Sequence, residues 1–176
     1  MANREALREL QKRLASRLQA ARTEGVTVSW LAVKAGGENY LFPLAQAGEI
    51  FPLVSLQSVP YSCNWFLGVI NLRGGLYGVV DMAGLIHPER VRVRSEQLLS
   101  EASVVTFSAN AEINCALQVD TLAGLRNPDS FVNSEVAAID SPVFFGKRMR
   151  DPNGETWQEI NLRTLSQTAE FLNISA

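Results

Sequence analysis

The 176-residue sequence predicts a mainly β fold of two small β lobes, with a helix at each end of the chain. Three observations support this prediction. Short apolar runs alternate with glycine-bearing turns from residue 26 onwards, strong helix formers fill residues 1–24, and the charged residues 87–102 interrupt the β texture near its middle. Apolar residues make up 47% of the chain, which is typical of a globular protein and excludes a disordered one.

Residues 1–24 are predicted to form one amphipathic helix ahead of a main domain at residues 26–172, with Gly25 as the helix stop. Six basic and three acidic residues give this segment a net charge of +3. Its leucines are spaced by three and four residues, as on one helical face: Leu7, Leu10, Leu14 and Leu18. Three roles are open for the helix: packing on its own domain, pairing with a partner helix, or binding an anionic membrane surface.

Eight short apolar runs are predicted as strands. Their bounds are Val26–Val33, Tyr40–Leu44, Ile50–Val54, Phe66–Leu72, Leu76–Met82, Ser103–Phe107, Ile113–Val119 and Thr156–Leu162. Turn signals separate the runs, and Gly36-Gly37 and Asp151–Gly154 are typical of hairpin connections. Short strands at this spacing indicate an all-β barrel or sandwich.

Two stretches after the first segment are predicted to be helical. Asp81 can cap a short turn that ends at Ile86, and residues 161–172 form an amphipathic stretch at the end of the chain. Its predicted buried face consists of Leu162, Leu165, Ala169 and Leu172. Similar strand-to-helix passages at residues 79–82 and 159–162 indicate two related lobes in tandem, divided by residues 87–102.

Charge and composition argue against several classes of function. The net charge is −2, and ten basic against fifteen acidic residues follow the first segment, which disfavours nucleic-acid binding. One histidine and two distant cysteines predict no metal site and no disulfide framework, as expected in a reducing compartment. The longest uncharged stretch, Ile50–Leu72, contains prolines and amides, so we expect no membrane insertion and a cytoplasmic location.

The sequence contains no evident catalytic constellation. Cys63, Asp81 and His87 could act together only within hydrogen-bond reach, and His87 precedes Pro88 in a charged linker. Cys115 lies inside an apolar run and is predicted to be a small buried side chain. We therefore expect no enzyme activity and no cofactor.

A specific motif follows the uncharged stretch. Residues 68–74 read GVINLRG, and after three further residues, residues 78–82 read GVVDM. This pattern resembles the signature of CheW-like domains. Weaker similarities at Tyr40–Leu44, Leu117–Asp120 and Phe145-Gly146 extend the resemblance over residues 26–172. The sequence departs from the family pattern at Gly78, where the family usually has proline.

The resemblance implies two small five-stranded SH3-like β-barrels that share an apolar core. It also implies a non-catalytic scaffold that couples a methyl-accepting chemoreceptor to a CheA-type histidine kinase, at receptor arrays on the inner face of the membrane. The leading helix makes the chain more similar to adaptors of type IV pilus (twitching) arrays, with the flagellar pathway as the alternative. The alternative of another class is a small β-barrel that binds a nucleic acid or a small molecule.

The resemblance further implies a set of protein-interaction residues. They are Glu49, Gly68, Asn71, Arg73, Gly74 and Gly146. Arg73 is the sharpest of them, because it ends the uncharged stretch at a predicted hairpin. It can form a structural salt bridge with Glu49, face the receptor with its planar guanidinium, or do both. Gly74 is predicted to serve turn geometry rather than phosphate binding.

A further group of candidate binding residues is apolar and lies near the motif in the sequence. Its members are Leu53, Val54, Trp65, Phe66, Tyr77 and Met82. They could line an exposed binding groove, because aromatic side chains often anchor interfaces. Core packing is the simpler interpretation for each of them individually.

Overall fold

Eleven strands and five helices build the described part of the chain, which is residues 2–23, 29–90, 92–93 and 95–176 of a computed structural model. The strands are β1 (Trp30–Ala35), β2 (Glu38–Pro43), β3 (Ala47–Pro52), β4 (Phe66–Leu72), β5 (Gly75–Asp81), β6 (Ser103–Phe107), β7 (Cys115–Val119), β8 (Thr121–Arg126), β9 (Asn133–Glu135), β10 (Phe145–Arg150) and β11 (Thr156–Ile160). The helices are α1 (Ala2–Thr23), α2 (Met82–Ile86), α3 (Glu96–Glu101), α4 (Leu162–Leu165) and α5 (Ala169–Leu172).

The strands form two sheets. Sheet A has the order β8-β1-β2-β11-β10-β9, and sheet B has the order β3-β6-β7-β5-β4. Two neighbouring pairs, β2–β11 and β5–β7, run parallel, and the other pairs are antiparallel. The predicted mainly β, two-lobe fold is confirmed, although the lobes are open sheets of six and five strands rather than closed five-stranded barrels.

The two sheets are interleaved along the chain. Residues 47–119 supply all strands of sheet B, whereas sheet A combines β1 and β2 with β8 to β11. Residues 87–102 therefore connect two strands of the same sheet, and the predicted division of the lobes at this segment is wrong. Local periodicity indicates where strands lie, but the division depends on which distant strands pair.

The main apolar core contains side chains from both sheets. Val33 and Phe42 of sheet A share one buried cluster with Val80 and Leu117 of sheet B. Two smaller clusters each belong to a single sheet, one in sheet B around Ile70 and one in sheet A around Trp157, Leu41 and Met149. The shared core implied by the family resemblance is confirmed.

The second half of α1 packs on the domain. Leu14 and Leu18 are 7% and 3% exposed, whereas Leu10 is 46% exposed. Gln11 Nε2 donates a hydrogen bond to Ser103 Oγ at 2.8 Å, next to the contact of α1 with β3. Of the three roles considered for the helix, packing on its own domain is therefore the one that the structure shows for this half.

Most strand predictions match the structure. Each of the eight apolar runs overlaps a strand, and Phe66–Leu72 and Ser103–Phe107 have the predicted bounds. β8, β9 and β10 lie outside the predicted runs, because β9 is exposed and β8 and β10 are only partly buried, so none of them shows a strong apolar pattern. The helix stop predicted at Gly25 and the start of the run at residues 26–28 lie outside the described residues.

The C-terminal stretch forms two short helices instead of one. Asn161 Oδ1 accepts a hydrogen bond from the Thr164 N–H at 2.9 Å and caps α4, and Thr168 Oγ1 accepts from the Phe171 N–H at 3.3 Å and caps α5. This second start rotates the helical face. Phe171 is 3% exposed and Leu172 is 60% exposed, so the predicted burial of Leu172 is wrong.

Candidate protein-interaction site

The motif forms a tight hairpin between β4 and β5. Arg73 and Gly74 are its two turn residues, with φ of +51° and +83°, as a type I′ turn requires. Asn71 Oδ1 accepts a hydrogen bond from the Gly74 N–H at 3.0 Å. The turn role predicted for Gly74 is confirmed, and Asn71 holds the turn that presents Arg73.

Arg73 forms the predicted ion pair with Glu49 of β3. Arg73 Nη1 lies 2.7 Å from Glu49 Oε2, and the two side chains are 71% and 48% exposed. The guanidinium carbon lies 5.5 Å from the centre of the Phe51 ring, a cation–π distance. β3 and β4 are the two edge strands of sheet B, and Arg73 directly follows β4, so the pair connects the two edges of this sheet.

A backbone bridge connects the segment after β3 to β4, and we call this junction the seam. Gln57, in the segment after β3, pairs with Val69 of β4 through two hydrogen bonds of 2.8 and 2.9 Å. Gly68 is buried beside this bridge with φ of +131°, and a Cβ there would overlap the Gln57 carbonyl oxygen. Gly68 therefore shapes the seam and does not itself present a side chain to a partner.

Thr106 of β6 holds the backbone at Glu49. Its Oγ1 accepts a hydrogen bond from the Glu49 N–H at 2.8 Å and donates to the Glu49 carbonyl oxygen at 3.3 Å. The strand register shifts between Ala47 and Ile50 at this point, which is typical of a β-bulge. The bulge, the hydroxyl and the Arg73 guanidinium together fix the position of the Glu49 carboxylate.

Gly146 lies in β10 of sheet A, whereas the other five predicted site residues lie in β3 and the β4–β5 hairpin of sheet B. Its carbonyl oxygen accepts a hydrogen bond from Gln158 Nε2 at 3.1 Å. A Cβ at this position would come within 2.9 Å of Glu159 Oε1, and burial raises the pKa of Glu159. The structure thus gives Gly146 a packing environment of its own, in the other sheet.

A second arginine–carboxylate cluster lies away from the motif. Arg92 Nη1 donates to Asp81 Oδ1 at 2.5 Å, and Arg92 Nη2 donates to Asp120 Oδ2 at 2.8 Å. Asp120 also accepts from the Gly36 N–H, at the β1–β2 turn, at 2.7 Å. Burial alone would lower the pKa of Arg92, but hydrogen bonds and charge from the two aspartates raise it. The cluster links sheet B to sheet A.

Sequence reasoning missed this cluster. Asp81 occupies the predicted N-cap position of α2, but its carboxylate makes no cap hydrogen bond and pairs with Arg92 instead. Arg92 lies in the charged segment predicted to divide the two lobes, and its side chain is only 19% exposed. One signal for the cluster was available in the sequence. Asp81 ends β5 and Asp120 directly follows β7, and carboxylates buried at strand ends require a cation nearby.

The three residues considered for catalysis have different partners. His87 Nδ1 lies 3.4 Å from Glu89 Oε1, and Cys63 Sγ lies 3.3 Å from the Ser175 carbonyl oxygen, while Asp81 pairs with the cluster above. Cys115 is 7% exposed, as predicted, and burial raises its pKa to about 12. A thiol with this pKa is a poor nucleophile near neutral pH.

The apolar residues near the motif are mostly buried or half-buried. Met82 is fully buried, and Val54 is the most exposed of the six, at 53%. The half-buried members are Leu53, Trp65, Phe66 and Tyr77. Core packing is therefore confirmed for Met82, and the group does not form one open groove.

A different set of exposed apolar side chains lies in the segment that contains β9, an edge strand of sheet A. Four side chains between residues 132 and 143 are 67–107% exposed: Val132, Val136, Ile139 and Val143. We call this the 132–143 surface. Sequence reasoning missed it, because these residues show neither strand nor helix periodicity, and exposure of an irregular segment cannot be read from local pattern.

Comparison with known proteins identifies the fold family. A family model described as "CheW-like domain" matches residues 29–168, which excludes α1. The chain is 22% identical to protein PilI of Pseudomonas aeruginosa over 168 residues, covering 93% of this chain and 89% of PilI. None of the described helices is long and apolar enough to cross a membrane.

A solved structure has the same fold. The scaffolding protein TtCheW from Thermoanaerobacter tengcongensis matches with a TM-score of 0.61 and 16% identity, covering 82% of this chain and 96% of TtCheW. The family model spans well over half of the chain, and it contains the motif, the Arg73–Glu49 pair and both sheets. The chain belongs to the CheW-like domain family.

Proposed function

We propose that this chain is a non-catalytic adaptor that couples a chemoreceptor to a CheA-type histidine kinase. The observation that carries the proposal is the exposed Arg73–Glu49 pair, held at the tip of the family motif. Membership of the CheW-like family and the description of TtCheW as a scaffolding protein support it. The proposed activity is one of binding and geometry, with no chemical turnover.

Arg73 is suited to contact the receptor. Its guanidinium has five N–H donors, and its ion pair with Glu49 joins Nη1 to the carboxylate oxygen Oε2. The remaining donors can bind a carboxylate or carbonyl of a partner. Because the type I′ turn and Asn71 already fix the backbone, binding costs less ordering of this loop than a flexible tip would.

An adaptor requires a second surface, and the 132–143 surface is the candidate for kinase docking. Exposed apolar side chains grouped in one segment commonly mark protein interfaces. The segment lies in sheet A beside the edge strand β9, whereas Arg73 lies in sheet B. Separate surfaces allow both partners to bind at once, which coupling requires.

The pathway we propose is that of type IV pilus, or twitching, signalling. The similarity to PilI over 93% of the chain supports this assignment, with the flagellar pathway as the alternative. The protein would then act in the cytoplasm, at receptor arrays on the inner face of the membrane. The proposed partners are one methyl-accepting receptor and one kinase of that pathway.

A three-component capture experiment tests the proposal. A receptor cytoplasmic hairpin is immobilised, and retention of the kinase regulatory domain is measured with and without this protein. We expect retention only when the protein is present. Arg73→Ala should lose the receptor and keep the kinase, and Ile139→Asp should do the reverse, with Arg163→Ala, at an exposed position of α4, as the control. Equal retention without the protein would contradict the proposal.

A further inference from the structure

Helix α1 and the edge of sheet B enclose a groove beside the Arg73–Glu49 pair. Lys12, Ser16 and Gln19 line it from α1, and Gly48, Glu49 and Arg73 line it from the sheet. The family model begins at residue 29, so the α1 wall is an addition to the domain that the family shares. A groove between a helix and a sheet edge has the shape that a second helix can fill.

We propose that this groove binds an acidic amphipathic helix of the receptor's cytoplasmic hairpin, with α1 as a specificity-determining wall. The inference rests on the proposed function, because it names the surface that receives the receptor. It assigns to α1 a direct role in partner choice. A CheW-like domain without this helix would lack the α1 wall, so the partner helix would contact the Arg73 hairpin and the edge of sheet B alone.

Helix α1, which forms the wall of the groove, is packed against the domain. Leu14 and Leu18 are buried beneath α1, and the Gln11–Ser103 hydrogen bond of 2.8 Å adds a polar anchor. Lys12, Ser16 and Gln19 follow at intervals of four and three residues, so they form a stripe along one flank of the same helix. The buried leucines therefore hold this polar stripe at a fixed place opposite β3.

The charges of the groove favour an acidic occupant. Lys12 and Arg73 stand on opposite walls, and Glu49, the acidic residue of the lining, is already paired with Arg73. Half-buried Ala15 adds apolar surface between the charged rims, above a floor that includes the buried Leu18 and Ile50. A helix with carboxylates on both sides of an apolar stripe satisfies the cations and covers this surface.

A second copy of the chain fits the groove less well. Among the described helices, α1 is the one long enough to fill it, since the others have four to six residues. Among the α1 side chains that the structure describes, the exposed charged ones are four basic and two acidic: Arg8, Lys12, Arg13, Arg17, Glu5 and Glu9. A basic helix would be repelled by the cations of the groove.

A charge reversal in the groove tests the inference. Binding of a soluble receptor-tip hairpin is measured by titration for wild type, Lys12→Glu, and Arg17→Glu, an exposed cation of α1 outside the groove lining. We expect Lys12→Glu to weaken binding about fivefold and Arg17→Glu by less than about twofold. The difference should shrink at about 0.5 M salt, because exposed charges are then screened.

A proximity measurement separates contact from folding effects. Ser16→Cys is placed in a Cys63→Ser background, and disulfide cross-linking to a cysteine on the receptor helix is compared with that of Arg17→Cys. We expect cross-links from Ser16→Cys and few from Arg17→Cys. Unfolding curves of the Ser16→Cys and Arg17→Cys variants should overlay that of the Cys63→Ser background, because the Ser16 and Arg17 side chains are exposed.

The outcomes distinguish the two proposals. If wild type binds no receptor hairpin, the proposed function fails and the groove assignment fails with it. If Arg73→Ala weakens binding while Lys12→Glu matches Arg17→Glu and Ser16→Cys does not cross-link, the groove assignment alone is overturned. A dimer in light scattering that Lys12→Glu dissociates would make a second copy the occupant and would also overturn it.

Discussion

Two arginines of this protein bind carboxylates in opposite surroundings. Arg73 pairs with Glu49 at 2.7 Å at the tip of a hairpin and is 71% exposed, whereas Arg92 pairs with Asp81 at 2.5 Å and is 19% exposed. The chemistry of the two contacts is the same, and the exposure differs. The comparison teaches that burial, more than contact distance, decides how much such a pair can stabilise the fold and whether its donors stay accessible.

The physical reason lies in solvation. Water and salt screen the exposed pair, so its contribution to stability is about 0–1 kcal/mol and its donors stay accessible to a partner. Asp81 is fully buried, so loss of its cation would leave an unpaired charge inside the protein. The Arg92 cluster also ties the segment after α2 to the ends of β5 and β7.

The largest expected effect is that of Arg92→Ala. Removal of the guanidinium should lower the free energy of unfolding by about 3 kcal/mol, because the Asp81 carboxylate loses its cation. Urea unfolding followed by circular dichroism measures the change. Arg90→Ala is the matched control, since Arg90 forms exposed pairs with Glu38 and Glu89 and should cost at most about 1 kcal/mol. Equal effects of the two variants would break the comparison.

Asp120→Asn should have an intermediate effect. The amide oxygen can still accept from the Gly36 N–H, while the charge-assisted bonds to Arg92 weaken, which predicts a loss of about 1–2 kcal/mol. The same unfolding experiment measures it. A loss as large as that of Arg92→Ala would contradict the assignment of the largest effect to the buried Asp81 carboxylate.

Asp151 differs from these carboxylates, because its charge is stabilised mainly by hydrogen bonds. Burial alone would raise its pKa, but bonds from Trp157 Nε1 and from the N–H groups of Asn153 and Glu155 hold the pKa below its ordinary value. A depressed pKa stabilises the fold above about pH 4, and this stability is lost as pH falls through the lower folded pKa.

We therefore expect Asp151→Asn to reduce stability at neutral pH and to converge with wild type in acid. Unfolding midpoints measured between about pH 7 and pH 2 follow this change. Asp140→Asn, at an exposed position in the 132–143 segment, is the control and should leave the midpoint unchanged. A constant difference between Asp151→Asn and wild type at all pH values would exclude titration of Asp151 as the cause.

The smallest expected effect on stability is that of Glu49→Gln. The pair is exposed, so the loss should be at most about 1 kcal/mol and should decline with added salt. A double-mutant cycle with Arg73→Ala measures the coupling energy between the two side chains. A coupling above about 2 kcal/mol would move this pair into the structural class of Arg92.

The β4–β5 hairpin could be predicted from the sequence, whereas the buried cluster of Arg92, Asp81 and Asp120 was missed. The β4–β5 turn has local signals, since Gly74 stands at a position where a type I′ turn requires positive φ, and Asn71, just before the turn, accepts a hydrogen bond from the Gly74 N–H. Arg92 has no such signal. Its environment exists only because parallel pairing of β5 with β7 brings Asp81 beside Asp120, and that pairing joins residues far apart in sequence.

The same distinction explains the other outcomes. Strand positions followed from apolar runs, whereas the interleaving of the sheets depends on long-range pairing such as β2 with β11. The burial of Phe171 instead of Leu172 depends on a second helix start at Thr168, a single capping hydroxyl inside an amphipathic pattern. The predicted interaction residues stay predictions, because contact with a partner is a property of a complex.

Titration of the receptor hairpin into Arg73→Ala tests the central claim most directly, with unfolding curves of the same samples. The account predicts that affinity falls at least about tenfold, as for loss of a desolvated charge contact, while the free energy of unfolding changes by at most about 1 kcal/mol. Unchanged affinity, or a loss of stability as large as that of Arg92→Ala, would contradict it.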